Sequence, residues 1–142
     1  MKRRYKYPLL ILGGLWIVAV LAMTPRLVRV YRETKIALQD VSDYSDHVVG
    51  RQYDQAYRYS SSGFRAALSY DQFVTLYQRL ERQYGTLKSV ARQGYEVHGF
   101  GDPMVWKAVV DEDFVYEKKT LRFEFVLHKE DGHWAIFSVE QL

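Results

Sequence analysis

Residues 121–140 read LRFEFVLHKEDGHWAIFSVE, and this stretch decides the fold. From Leu121 to Leu127 every second residue is a large apolar one, a period typical of a strand with one buried face. Asp131-Gly132 follows, the pair favoured in two-residue hairpin turns because both positions there need positive φ. The stretch therefore predicts two antiparallel strands joined by a tight turn.

The same period of two extends upstream. Met104, Trp106, Ala108 and Val110 alternate with Val105, Lys107, Val109 and Asp111, which predicts a further strand. Residues 86–100 are less regular, since Leu87 and Tyr95 conflict in phase with Val90, and we expect a bulge near Gly94. A strand meander thus follows Gly85.

Before Gly85 the apolar spacing is helical. A stripe of apolar residues three, four or seven apart runs from Leu27 to Val48, and Gly50 interrupts it. A short helix around Tyr53–Tyr57 is expected to end in the loop Ser60–Gly63. The last helix has a Ser69/Gln72 capping box, and we expect Gly85 to end it. Its buried stripe comprises Phe73, Leu76, Tyr77, Leu80 and Tyr84. Helices followed by a meander predict an α+β fold, with the helices packed on one face of an antiparallel sheet.

An uncharged apolar run, Leu9–Met23, precedes these elements. With its flanks it reaches about eighteen residues, the lower limit for spanning a bilayer. A cleaved signal peptide is the main alternative, with Val20-Leu21-Ala22 as its processing site; a buried or membrane-surface helix is another. Helical spacing that continues past Pro25 favours an uncleaved anchor. We expect a basic tail at 1–8, a transmembrane anchor at 9–25 and one domain at 26–142.

Charge places the N-terminus and excludes one class of partner. Of the basic residues, eight flank the apolar run: Lys2, Arg3, Arg4, Lys6, Arg26, Arg29, Arg32 and Lys35. Those before the run favour a cytoplasmic N-terminus, with the domain on the non-cytoplasmic side. The net charge is +3, so the rest of the chain is mildly acidic, which argues against a nucleic-acid partner. The basic residues just after the run are interpreted as solvated charges near the headgroups of membrane lipid. The chain has no cysteine, which removes disulfides and thiol chemistry.

Few residues suggest a metal or a catalytic centre. His128, Glu130 and His133 could meet across the hairpin as two histidines and a carboxylate, but a polar solvent face explains them better. Asp111-Glu112-Asp113 lacks calcium-loop spacing and is interpreted as a charged strand end or turn. No phosphate-binding glycine loop, G-x-S-x-G elbow or H-E-x-x-H motif occurs. We therefore expect no metal, no cofactor and no catalytic residue.

Four stretches resemble the nuclear transport factor 2-like (cystatin-like) superfamily, especially its small bacterial members of unassigned function. They lie between Gly50 and Val139 in the order expected for that family, and read GRQYDQAY (50–57), SYDQF (69–73), YGTLKSV (84–90) and GHWAI (132–136). Each motif is degenerate alone, so the likeness depends on their order and spacing.

The resemblance implies a curved sheet wrapped around helices as a cone with an open end. It implies no activity, since this fold hosts enzymes, ligand binders and assembly modules. Residues that could line such a cone are Asp54, Tyr57, Phe73, Tyr77, Tyr95, Trp106 and Phe123. We nevertheless expect Asp54 to be solvated or capping, the interior to be closed by Tyr, Phe and Trp side chains, and no carboxylate to occupy it.

The resulting hypothesis is a membrane-tethered, non-enzymatic binding or assembly module of the cell envelope. A short tail, one span and an external domain of this type are similar in architecture to the inner-membrane assembly component of type IV secretion machines. Its partners would be other envelope or membrane proteins, or a small apolar ligand. One alternative is a cone-fold enzyme of dehydratase or isomerase type with a buried carboxylate. The other, if the apolar run is cleaved, is a secreted ligand-binding domain.

Overall fold

The structure, a computed structural model, describes the backbone of residues 7–142 and the side chains of residues 25–142. In this part of the chain the helices come first: α1 (Tyr7–Val49), α2 (Tyr53–Arg58), α3 (Ser62–Ala67) and α4 (Tyr70–Tyr84). The strands follow: β1 (Leu87–Phe100), β2 (Val105–Tyr116), β3 (Thr120–Glu130) and β4 (His133–Gln141). The predicted α+β class is confirmed, with helices packed on a curved antiparallel sheet.

The sheet is a meander in which each strand pairs with the next one along the chain, in the order β1-β2-β3-β4. Its β3–β4 turn has the predicted form: Glu130 pairs with His133, and both Asp131 (φ 48°) and Gly132 (φ 82°) have positive φ. The expected irregularity of β1 is also present, as a register shift between Arg92 and Gly94.

Helix α1 runs along the concave face in the same overall direction as β2. The guanidinium of Arg29 lies 5.8 Å from the ring centre of Trp106, and farther along the helix Ser45 contacts Glu112. Between these contacts the helix is about 24 Å long and the strand about 20 Å, from their usual rises per residue. The N-terminal part of α1 therefore leaves the sheet at the end that carries the β1–β2 and β3–β4 turns.

Aromatic rings fill the space between helices and sheet. Tyr44 of α1 packs edge-on against Phe125, with ring centres 5.5 Å apart, and Phe73 of α4 packs against Tyr77 at 5.1 Å. On the sheet itself Phe114 contacts Phe123 at 5.0 Å. The expectation that Tyr, Phe and Trp side chains close the interior is confirmed.

The ends of α4 follow the sequence signals. Ser69 Oγ accepts from the Gln72 amide, and Gln72 Oε1 accepts from the Ser69 amide, which is the predicted capping box. Gly85 ends the helix at φ 84°. Helix α2 ends before the serine run, as expected, but Ser62 and Gly63 begin α3 and are not a loop. Ser61 Oγ accepts from the Phe64 amide at 3.0 Å, so the serine run caps a helix.

The apolar stripe of α1 is only partly buried. Val41, Tyr44 and Val48 are buried as predicted, whereas Leu27 and Tyr31 are 66% and 73% exposed. For Leu27 the reason is geometric: it precedes Arg29, beside which the sheet begins, so it has little to pack against. The side chains of the apolar run Leu9–Met23, which makes up most of the predicted anchor at 9–25, and of the basic tail lie outside the described residues. Within the described part of the chain, no helix is long and apolar enough to cross a bilayer.

Candidate functional site

A carboxylate lies inside the domain, on the central strand β2. Glu112 is 2% exposed and points from the concave face toward α1. Its Oε2 accepts a hydrogen bond of 2.5 Å from Ser45 Oγ, and its Oε1 lies 3.6 Å from Nη2 of Arg92 on β1. The expectation of an interior without a carboxylate is therefore wrong.

That expectation was wrong because β2 extends beyond Val110, where the predicted strand ended. Asp111, Glu112 and Asp113 are not a strand end or turn but the middle of β2, which continues to Tyr116. The alternation that buries Trp106, Ala108 and Val110 continues through Glu112 to Phe114 and Tyr116. Extending that period of two by three pairs would have placed Glu112 in the core.

The surroundings of Glu112 favour its protonated form. Burial raises the pKa of the carboxyl, and the Ser45 hydrogen bond and the Arg92 guanidinium only partly offset this effect. A buried carboxyl with a raised pKa is the kind of group that serves as a general acid or base. Chemistry on a substrate, however, also requires access.

Access to Glu112 is closed on the sides that the structure describes. One carboxylate oxygen is taken by Ser45 and the other faces Arg92, whose Nη2 also donates to the Leu38 carbonyl at 2.7 Å. Two concave regions lie on the surface, and Glu112 lines neither of them. The lining of one includes Tyr53 and Glu81, and the lining of the other includes Leu76 and Arg79.

A second buried carboxylate joins α1 to the last two strands. Glu33 Oε2 accepts from the Trp134 indole Nε1 at 3.2 Å and lies 2.8 Å from Lys129 Nζ. Glu33 precedes Ala37 by one helical turn, so the buried stripe of α1 begins at this residue. Sequence reasoning missed Glu33 because only apolar residues were counted in the stripe.

Two tyrosine hydroxyls meet within the core. Tyr44 of α1 and Tyr77 of α4 share a hydrogen bond of 2.6 Å. Burial is the largest cause that raises the pKa of both hydroxyls, so neither ionises near neutral pH. The Tyr116 hydroxyl is buried nearby without a hydrogen-bond partner among the described residues. The three rings are packed as core side chains.

The residues predicted to line a ligand pocket are dispersed. Phe73, Tyr77, Trp106 and Phe123 are buried in the core. Tyr57 is half-buried beside Phe73, and its hydroxyl donates to the Leu68 carbonyl at 2.7 Å. Asp54 is exposed, as expected, and Tyr95 on β1 is 55% exposed. Tyr57, Phe73 and Tyr77 form one contiguous cluster, and the seven side chains do not converge on a single cavity.

The histidine-carboxylate alternative for a metal does not assemble. His128 stacks on Phe137, with ring centres 4.8 Å apart, and Glu130 accepts from the Ser62 amide at 3.0 Å and from its hydroxyl at 2.7 Å. Among the described residues, no three His, Asp or Glu side chains are placed to hold a metal ion.

The sheet end from which α1 emerges has a different character, and we call it the entry end. It comprises residues 25–32 of α1 together with the β1–β2 turn and its flanks, residues 99–106. Its exposed apolar side chains are Leu27, Val28, Val30, Tyr31, Phe100, Met104 and Val105. Arg26, Arg29 and Arg32 are exposed among them. Exposed apolar and basic side chains together are typical of a surface that contacts a partner or a membrane.

Comparison with known proteins adds no identification. No protein-family model matches the chain, and no curated protein matches its sequence.

Proposed function

We propose that the protein is a membrane-tethered, non-enzymatic binding or assembly module of the nuclear transport factor 2-like type. It would be a subunit or accessory of a cell-envelope complex, with its N-terminus cytoplasmic and the domain on the other side. The observation that carries this proposal is the entry end. There, exposed apolar and arginine side chains of α1 directly follow the uncharged sequence Leu9–Met23.

The filled interior supports a binding role on the outside of the domain. Aromatic side chains occupy the space between helices and sheet, and Glu112 is paired with Ser45 and Arg92. A partner protein would therefore meet the surface, whereas a small apolar ligand would need a space that these aromatic side chains now fill.

The tether is tested by alkaline carbonate extraction of membranes that contain the full chain. We expect the protein in the pellet, with its N-terminal segment intact. Protease added to the non-cytoplasmic side should digest the domain and leave the basic tail. A soluble species beginning near Met23 would show a cleaved signal peptide and favour the secreted ligand binder.

A cone-fold enzyme is the second candidate, and one observation favours it: Glu112 is a buried carboxyl with a raised pKa. The two candidates differ in whether small molecules reach this side chain. A water-soluble carbodiimide with an amine, applied to the folded protein, should modify the exposed Asp54 rapidly and Glu112 only after unfolding. Modification of Glu112 at a rate close to that of Asp54 would favour the enzyme.

A further inference from the structure

We propose that the entry end rests on an anionic bilayer surface, with the β1–β2 turn in contact with lipid headgroups. This inference rests on the proposed tether and adds to it a defined contact face and a lipid charge. Without such contact, a domain on a single helix would be free to stand away from the bilayer.

The position of the turn follows from its contacts with α1. Arg29 covers the ring of Trp106, and Trp106 pairs with Gly99, so both strand ends are held beside this turn of the helix. The chain beyond them, from Phe100 to Val105, extends about 7–10 Å farther at the usual rise of a strand. The same distance along α1 is about five to seven residues. The tip of the turn therefore comes within about one helical turn of Pro25.

The side chains at this tip are apolar and unusually exposed. Phe100 and Val105 pair across the strand ends, and both remain more than half exposed. Met104 packs toward Gly99 and Trp106, where any Cβ at position 99 would lie 2.9 Å from its sulfur. The tip is thus supported from behind while its apolar atoms face outward. Contact with the acyl–headgroup boundary would remove them from water.

Charge complementarity selects an anionic surface. Arg26, Arg29 and Arg32 are exposed on the first described turns of α1, and each basic residue near such a surface strengthens binding by about fivefold. The nearby acid of α1, Glu33, is buried against Lys129 and Trp134 and does not face outward. Asp102 in the β1–β2 turn and the exposed Asp131 in the β3–β4 turn at the same end of the sheet oppose the attraction, but they are two carboxylates against three arginines.

The full chain contains no cysteine, so a single introduced cysteine carries a unique fluorescent label. The test compares Val105→Cys with Lys118→Cys, an exposed residue in the β2–β3 turn at the far end of the sheet. Both proteins are reconstituted in vesicles that carry headgroup-attached nitroxides, with or without phosphatidylglycerol. Because the two labels lie roughly 36 Å apart along β2, we expect quenching at 105 to be at least about threefold stronger than at 118.

A second comparison tests the charge. Replacing Arg26, Arg29 and Arg32 by Gln should lower the dependence of quenching on phosphatidylglycerol several-fold. The matched replacement of Arg58, Arg79 and Arg82, exposed arginines of α2 and α4, should leave it unchanged. Raised salt should act like the first replacement, since exposed charges are screened.

The outcomes separate this inference from the tether. Carbonate-resistant protein with equal quenching at 105 and 118 would overturn the inference and leave the tether standing. Protein that carbonate removes, but whose label at 105 is quenched on anionic vesicles, would uphold the contact face and refute the tether. Failure to associate with any vesicle would refute both.

Discussion

Ser45 Oγ lies 2.5 Å from Oε2 of Glu112, so the long helix contacts a carboxylate in the middle of the central strand. The Arg92 guanidinium approaches the other oxygen at 3.6 Å from the neighbouring strand. One buried acid thus connects α1, β1 and β2. Because burial raises its pKa, this connection has a stability cost that grows as the carboxyl ionises.

Glu112 should make the stability of the domain fall as pH rises. Its carboxyl has a higher pKa folded than unfolded, so the folded state binds the proton more tightly. Its contribution to stability is therefore full below the unfolded value of 4.5 and is lost as pH rises through the folded pKa. Glu112→Gln, which stays neutral and can still accept from Ser45, should flatten this slope.

The measurement is the free energy of unfolding by urea in a mild detergent, for both proteins, between pH 4 and pH 8. Asp54→Asn, at an exposed site, is the matched control and should keep the wild-type slope. Parallel curves for the wild type and Glu112→Gln would show that Glu112 is not a source of the pH dependence. Asp40, whose pKa burial and the neighbouring Asp43 raise to about 6, contributes in the same direction and is unchanged in all three proteins.

The sequence predicts those parts of the fold that are determined by residues close together in the chain. The hairpin at Asp131-Gly132 and the capping box of α4 were predictable because the backbone geometry there is determined by a few adjacent residues. The first apolar turns of α1 were not, because their burial depends on where the sheet ends. The short helix α3 was taken for a loop, since serines favour caps and turns alike.

The polar interior was harder to predict for a different reason. Glu33 and Glu112 occupy positions that the helical and strand periods assign to the core, but a charged residue is rarely buried unless it is paired. Their partners Lys129, Trp134, Ser45 and Arg92 are distant in sequence, so the pairing is visible only once the chain is folded. For this reason the prediction that no carboxylate lies in the interior was wrong.

Gly85 should tolerate no side chain. At φ 84° and ψ −175° its backbone conformation is one that L residues rarely adopt, and an added Cβ would meet Glu117 Oε2 at 2.5 Å and Cβ at 2.7 Å. We expect Gly85→Ala to lower the free energy of unfolding by about 1–3 kcal/mol.

Gly132→Ala separates the cost of backbone strain from the cost of the steric clash with Glu117. Gly132 also has positive φ, at 82°, but a Cβ there would meet no atom within 4 Å, so only backbone strain remains. It should cost less than Gly85→Ala. Combining Gly85→Ala with Glu117→Ala should recover only part of the difference, because it removes the carboxylate of residue 117 but keeps its Cβ. Equal costs at the two glycines would mean that the Glu117 side chain moves aside freely.

Trp134 should be among the most sensitive positions of β4. Its side chain is 4% exposed, and its indole donates to Glu33. Trp134→Ala should cost about 3–5 kcal/mol, the usual loss for a large buried aromatic. Phe137→Ala, on the other face of the same strand and 49% exposed, is the matched control and should cost less than about 1 kcal/mol. Thermal unfolding of the two variants measures the contrast, and a comparable loss at both positions would contradict the burial of Trp134.

Removing the buried hydroxyls of Tyr77 and Tyr116 should have different effects on the free energy of unfolding. Tyr44 and Tyr77 share a hydrogen bond of 2.6 Å, so Tyr77→Phe leaves the Tyr44 hydroxyl buried without that partner and should cost about 1–2 kcal/mol. The Tyr116 hydroxyl has no hydrogen-bond partner among the described residues, so Tyr116→Phe removes an unpaired polar group and should be neutral or stabilising. Both replacements retain the ring, and hence the packing of Tyr116 against Tyr84 and of Tyr77 against Phe73. Urea unfolding of the two variants provides the comparison. A loss at Tyr116→Phe as large as that at Tyr77→Phe would show that the Tyr116 hydroxyl is hydrogen-bonded in solution.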